Sequence, residues 1–76
     1  MDRQRKTAIQ DFGAAVRRAR KDLRVSQEDF AELCGVHRTF IGQVERGETN
    51  VSFVNILRIS AALKMRPSDL FRSAAL

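Results

Sequence analysis

The residues best suited to chemistry in this chain are Arg38, Thr39, Gly42 and Gln43, set within HRTFIGQVERG (37–47). On a helix they fall at i, i+1, i+4 and i+5, so they share one stripe, turned away from Ile41 and Val44. Their chemistry is that of contact. A guanidinium, a hydroxyl and an amide make hydrogen bonds, and tolerating Gly42, which costs ~1 kcal/mol relative to Ala in a helix, suggests close approach by a partner. Catalysis finds no support: no Ser–His–Asp or Cys–His pairing is suggested by position, and no phosphate-cradling glycine loop follows a strand. One Cys and one His make no metal-site constellation, and neither metal nor cofactor is expected. An arginine and a glutamine also suit an ordinary solvated face, so the stripe must be weighed in its context.

That context is small and basic. Seventy-six residues make one domain with a single core, and a hydrophobic fraction of 43% argues against disorder throughout. Fourteen Lys+Arg against nine Asp+Glu give a net charge of +5, which suggests an anionic partner, nucleic acid first and an acidic membrane surface second. Residues 1–24 carry eight of the basic side chains: Arg3, Arg5, Lys6, Arg17, Arg18, Arg20, Lys21 and Arg24. Taken alone, that run reads equally well as a solvated helix face. There is no secretory h-region and no apolar stretch near the ~18 residues of a membrane span. A single cysteine precludes an intramolecular disulfide, so a cytoplasmic location is expected.

The elements that must position the stripe are helices. Five segments can be read and no convincing strand, so the fold class is all-α. The first is predicted to start at Thr7, whose spacing to Gln10 is that of a capping box. It presents Ile9, Phe12, Val16 and Leu23 on one face. Residues 1–6 have no apolar anchor and are predicted to form a flexible basic arm ahead of a domain at 7–76. Ser26 caps the second helix, with Asp29 as capping-box partner and Val25 and Phe30 as a staple, and Gly35 ends it. The third runs over 38–46 and stops at Gly47. Ser52 caps the fourth, stapled by Val51 and Ile56, with Phe53, Ile56, Ile59, Ser60 and Leu63 on one side. Pro67 opens a short last helix.

Two helices around a tight glycine turn in a basic all-α domain match a helix-turn-helix at 26–47. Ala31 is small where the helices cross, and Phe30, Cys34, Val36, Ile41 and Val44 face inward. Here the chain resembles the Cro/C1-type (XRE-like) helix-turn-helix DNA-binding family, with its compact five-helix lambda-repressor-like fold. The resemblance spans 12–71 and rests on SQEDFAELCGV, IGQVERG, NVSFVNILRISAALKM and PSDLF. Through HRTFIGQVERGETNVS it is similar to the controller proteins of restriction–modification systems.

The resemblance implies double-stranded DNA as partner, with 26–34 as positioning helix and 38–46 as recognition helix. Arg38, Thr39 and Gln43 match positions that reach base edges in the major groove. Arg suits guanine O6 and N7, Gln suits adenine, and Thr offers a hydroxyl and a methyl. Gln27, at a helix N-terminus, and Arg46, Asn50 and Ser52 match backbone contacts, although Ser52 also serves as a cap. His37 stands where the family often has a capping Ser. It either leaves a weaker helix start or reaches a phosphate.

Arg20 falls on the apolar face of the first helix, at i+4 from Val16, and Glu45 follows Ile41 and Val44. Opposite charges directed inward need each other, and the family places a structural salt bridge there. Val54, Leu57 and Ala61 form a second apolar set on the fourth helix. Of that set Val54 and Leu57, together with Met65, Phe71 and Leu76, are either a homodimer contact, in a region of about 53–76, or the completion of the monomer core. Ser60, Lys64 and Arg66 depart from the family pattern and bear on the 64–66 turn. The expected function is a sequence-specific transcriptional regulator that binds a palindromic operator as a homodimer and blocks or recruits RNA polymerase. Phage-type repressors share that reading, and an antitoxin-like protein-interaction module is the rival of a different class.

Overall fold

Each helix of the chain stops at a residue in the left-handed conformation, and those five stops set the architecture. In the computed structural model, which describes residues 2–76 and side-chain surroundings from Gln4 onward, the elements are α1 (Asp2–Asp22), α2 (Gln27–Cys34), α3 (Arg38–Glu45), α4 (Phe53–Ala62) and α5 (Pro67–Ser73). The left-handed stops are Arg24 (φ 60°), Gly35 (φ 74°), Gly47 (φ 69°), Lys64 (φ 58°) and Ala75 (φ 61°). Two are glycines, for which this conformation carries no Cβ penalty; the other three accept it because the closing hydrogen bonds demand it. Lys64 is held this way by its N–H on the Ala61 carbonyl and by the Met65 N–H on the Ser60 carbonyl, each 3.0 Å. Among the described residues there is no strand, and no helix is long and apolar enough to cross a membrane.

Helix starts follow the sequence signals closely. Ser26 Oγ accepts from Asp29 N at 3.0 Å, Ser52 Oγ accepts from Asn55 N at 3.2 Å, and Pro67 stands in the first turn of α5 after Arg66, which gives no side-chain cap. The start of α1 differs. Residues 2–6 are helical rather than a loose arm, and Thr7 lies inside the helix instead of capping it. Gln4, Arg5 and Lys6 are good helix formers with no glycine or proline among them, so the helix propagates past the Thr–Gln pair. Met1 and the side chain of Arg3, also assigned to the arm, lie outside the described residues.

The core gathers Phe12, Ala15 and Val16 of α1, Phe30, Ala31 and Cys34 of α2, Ile41 and Val44 of α3, Ile59 of α4 with Leu63 at its C-terminal cap, and Leu70 and Ala74 of the last segment. Helix α3 packs on α1 and α2, while α5 packs on α1 and α4. Ser60, departing from an apolar residue, is buried without penalty because its hydroxyl donates to the Ile56 carbonyl at 2.8 Å. Two residues expected in the core are not there. Leu23 lies past the end of α1 in the turn and is exposed. Phe53, first residue of α4, projects beyond the body of the domain at 72% exposure.

Candidate nucleic-acid interface

The stripe of Arg38, Thr39 and Gln43 needs a rigid helix beneath it. Helix α3 is only eight residues long, too short to hold by itself, and three tertiary devices hold it. Ile41 and Val44 are fully buried. At its start, His37 acts as the cap: Nδ1 accepts from Thr39 N at 3.0 Å, so the imidazole replaces the serine hydroxyl and leaves Nε2 for any outside partner. The third device is close approach to α1. A Cβ on Gly13 would overlap the Val44 carbonyl oxygen and stand 3.1 Å from its carbon and 3.2 Å from the Glu45 oxygen. Only a residue without a side chain lets the two backbones meet. Sequence reading passed over Gly13, and its position mid-helix, where glycine is unfavourable, was the available signal.

At that junction Arg20 and Glu45 meet. Arg20 Nε donates to Glu45 Oε2 at 2.6 Å and Nη2 donates to Oε1 at 3.0 Å, a bidentate pair in which both residues are 8% exposed. Arg20 Nη1 also donates to the Val25 carbonyl at 2.8 Å, and Gln27 Nε2 donates to Glu45 Oε1 at 3.0 Å. One ion pair therefore ties α1, the turn before α2, the first turn of α2 and the end of α3 together. Gln27, read as a phosphate contact, has its amide committed in part to this brace.

Above the brace, Arg38, Thr39 and Gln43 are all exposed on one side of α3. Ser26, Gln27, Glu28, Arg38, Thr39, Gly42 and Arg46 line an open hollow between the start of α2 and α3. Gly42 is not left bare for a partner, as its place in the stripe suggested. It is buried, and the Arg46 guanidinium lies over it, with Nη1 2.9 Å from where a Cβ would stand. Arg46 Nε is also 3.1 Å from Glu48 Oε2, and that hydrogen bond and charge hold its proton more firmly than usual. Arg38 Nη1 lies 3.4 Å from Glu28 Oε2. Neither glutamate was singled out from sequence, because Glu28 reaches Arg38 only once the glycine turn folds α3 against α2.

Asn50 lies in a second, adjoining hollow with Arg5, Lys6, Ile9, Gly47, Glu48 and Thr49. The extension of α1 thus places two N-terminal cations beside the turn that follows α3, which a loose arm would not do. Ser52 is exposed and engaged as the α4 cap. Cys34 is buried, and burial pushes its thiol up to about 11. No group of His, Cys, Asp or Glu among the described residues is placed to hold a metal ion.

Of the residues suggested for a dimer contact, four separate into two pairs. Val54 (56% exposed) and Leu57 (41%) lie open on α4, and the misplaced Phe53 adjoins them. Met65 and Phe71 are instead partly buried against the core, with the Phe71 ring centroid 5.9 Å from that of Phe12. They complete the monomer as much as they could serve an interface.

Comparison with known proteins accords with this geometry. Residues 16–70 match the helix-turn-helix family model. The control protein C.BamHI of Bacillus amyloliquefaciens is 48% identical over 60 residues, which cover 78% of this chain and 74% of that protein. The control protein C.MunI of a Mycoplasma species is 41% identical over 61 residues, covering 79% and 82%. The crystal structure of the restriction-modification controller protein C.AhdI from Aeromonas hydrophila superposes with a TM-score of 0.80 at 44% identity, covering 82% of this chain and 94% of that one. The chain belongs to the helix-turn-helix family of Cro/C1 (XRE-like) type, as a DNA-binding regulator of transcription similar to the controller proteins of restriction–modification systems.

Proposed function

We propose that this protein controls transcription of a restriction–modification system by binding a palindromic operator as a homodimer. The single observation that carries the reading is the stripe of Arg38, Thr39 and Gln43, exposed on a helix braced by the buried Arg20–Glu45 pair. Arg38, Thr39 and Gln43 read base edges in the major groove. Arg46, Asn50, Gln27 and the His37 imidazole contact phosphates, assisted by Arg5 and Lys6 beside Asn50. Ser52 acts as a helix cap. The protein works in the cytoplasm, has no catalytic role, and sets transcription by where it sits relative to RNA polymerase.

Dimerisation follows from read length. One recognition helix addresses three or four base pairs, too few to select one site, whereas a two-fold pair reads half-sites about 10 base pairs apart. The exposed Phe53, Val54 and Leu57 supply an apolar face for that pairing. The test joins selection of binding sites from random duplex DNA to sedimentation at micromolar concentration. The selected sequences should be palindromic and the wild type dimeric. Leu57→Glu should be a folded monomer that has lost most affinity for a two-half-site duplex. A wild-type monomer that still binds a palindrome tightly and without cooperativity would contradict the proposal. If Leu57→Glu left the dimer intact while capture of another protein required the same face, the protein-interaction reading would replace it.

A further inference from the structure

We propose that the groove between the first half of α1 and the connection from α3 to α4 binds a small carboxylate with an alkyl tail of about six carbons, an effector that competes with DNA. Two hollows of different chemistry make up the groove. One, of about 220 Å³, is lined by Arg5, Lys6, Glu48 and Asn50 beside the Gly47 turn. The other, of about 150 Å³, is almost wholly apolar, walled by Ile9, Phe12, Val51, Ile56, Phe71 and Leu76. Ile9, Thr49 and Asn50 line both, so the cationic end opens into the apolar one. Together they reach the size range of small-ligand sites. The family match covers 16–70, whereas Arg5, Lys6, Ile9 and Phe12 precede it and Phe71 and Leu76 follow it. Two walls of the groove therefore stand outside the shared helix-turn-helix core.

Each half has an unmet requirement. The tilted rings of Phe12 and Phe71, with centroids 5.9 Å apart, form part of the apolar wall, and Ile9, Val51 and Ile56 stay only half-buried around it. Water there finds few hydrogen-bond partners, so an alkyl group that displaces it gains the free energy of apolar burial. At the other end neither Arg5 nor Lys6 forms an ion pair among the described residues, whereas Glu48 is engaged by Arg46 at 3.1 Å. Two unpaired cations beside a carboxylate whose charge is already answered favour an anion. A DNA phosphate meets only that second requirement; a carboxylate with an alkyl tail meets both. An apolar cavity of this size takes a benzene-sized guest, which sets the tail at about six carbons. Arg5, Lys6 and Asn50 are the groups assigned above to phosphate, so the head group and DNA exclude one another. That exclusion rests on the DNA-binding reading; binding of the carboxylate does not.

The test titrates the full chain, without DNA, with butanoate, hexanoate, octanoate and octanamide below micelle-forming concentrations, followed by heteronuclear NMR. Affinity should rise about tenfold from butanoate to hexanoate and level off by octanoate, with shifts concentrated at Ile9, Ile56 and Phe71. Octanamide should bind about tenfold more weakly than octanoate, and Lys6→Gln should remove most of that difference. Ala8 lines the apolar hollow without a part in DNA contact. Ala8→Leu should therefore weaken octanoate at least tenfold while keeping helix content and ligand-free DNA affinity. Saturating octanoate should weaken the wild type's affinity for a selected duplex about tenfold and leave that of Ala8→Leu unchanged. No gain with chain length, shifts scattered over the surface, or equal binding of acid and amide would overturn the proposal. So would octanoate binding that leaves DNA affinity unchanged, or binding to vesicles of anionic phospholipid but not to free octanoate. A wild type that binds no duplex, yet takes octanoate in this groove, would overturn the DNA-binding reading and with it only the competition.

Discussion

Two glycine-to-alanine substitutions in helices should act in opposite directions, and the reason lies in what each new methyl would meet. Intrinsic propensity favours Ala over Gly by ~1 kcal/mol in a helix interior, so both changes would stabilise if nothing else counted. At Gly42 the methyl meets only the Arg46 guanidinium at 2.9 Å, the far end of a flexible side chain that swings aside at little cost. Most of the propensity gain should survive, giving a net stabilisation of about 0.5–1 kcal/mol. At Gly13 the methyl meets backbone, overlapping the Val44 carbonyl oxygen with its carbon 3.1 Å away. Relief requires α1 and α3 to part by roughly 1 Å, and overpacking of this kind typically costs ~1–3 kcal/mol or more before the loosened contacts are counted. Those contacts include fully buried Val16, Ile41 and Val44 and the 2.6 Å Arg20–Glu45 bond. The net expectation for Gly13→Ala is a loss of at least ~2 kcal/mol. Urea denaturation followed by circular dichroism reads both variants on one scale. A Gly13→Ala protein as stable as Gly42→Ala would refute the close approach of α1 and α3.

Other outcomes follow from individual residues. Glu45→Ala should cost ~3–5 kcal/mol by stranding a buried Arg20, and replacing both with Met should recover much of it; additive losses in the double-mutant cycle would show that the pair is not coupled. Lys64→Gly should stabilise by about 0.5–1 kcal/mol, since φ 58° favours glycine, and an unchanged denaturation midpoint would argue against that backbone. The Cys34 thiol, pushed from 9.0 up to about 11, holds its proton more tightly folded than unfolded. Its contribution to stability should be complete below pH 9 and lost as pH rises towards 11, and alkylation at pH 8 should be slow until the chain is unfolded.

Local signals were legible where local bonds decide the structure. Ser26, Ser52, Gly35 and Gly47 mark helix ends because caps and left-handed stops depend on a few neighbouring residues. The inward charges Arg20 and Glu45 were legible because helical periodicity puts each on an apolar face. Thr7 misled for the opposite reason: its capping spacing is also found inside a helix when the preceding residues are good helix formers. Phe53 obeys the period of α4 yet sits one turn beyond the packed core, where periodicity has nothing to pack against. The Glu28–Arg38 pair and the contact of Gly13 with α3 join residues far apart in the chain. They became visible only once α1, α2 and α3 were assembled.

The most direct measurement of the central claim, that α3 reads bases through Arg38, is the binding energy of Arg38→Ala on a set of duplexes with each operator base pair changed in turn. The loss should be ~1–3 kcal/mol and should disappear on duplexes altered at one base pair of each half-site, whereas Arg46→Ala should weaken every duplex alike. A uniform loss from Arg38→Ala would make it a phosphate contact. No loss at all would contradict the assignment of α3 as the reading helix.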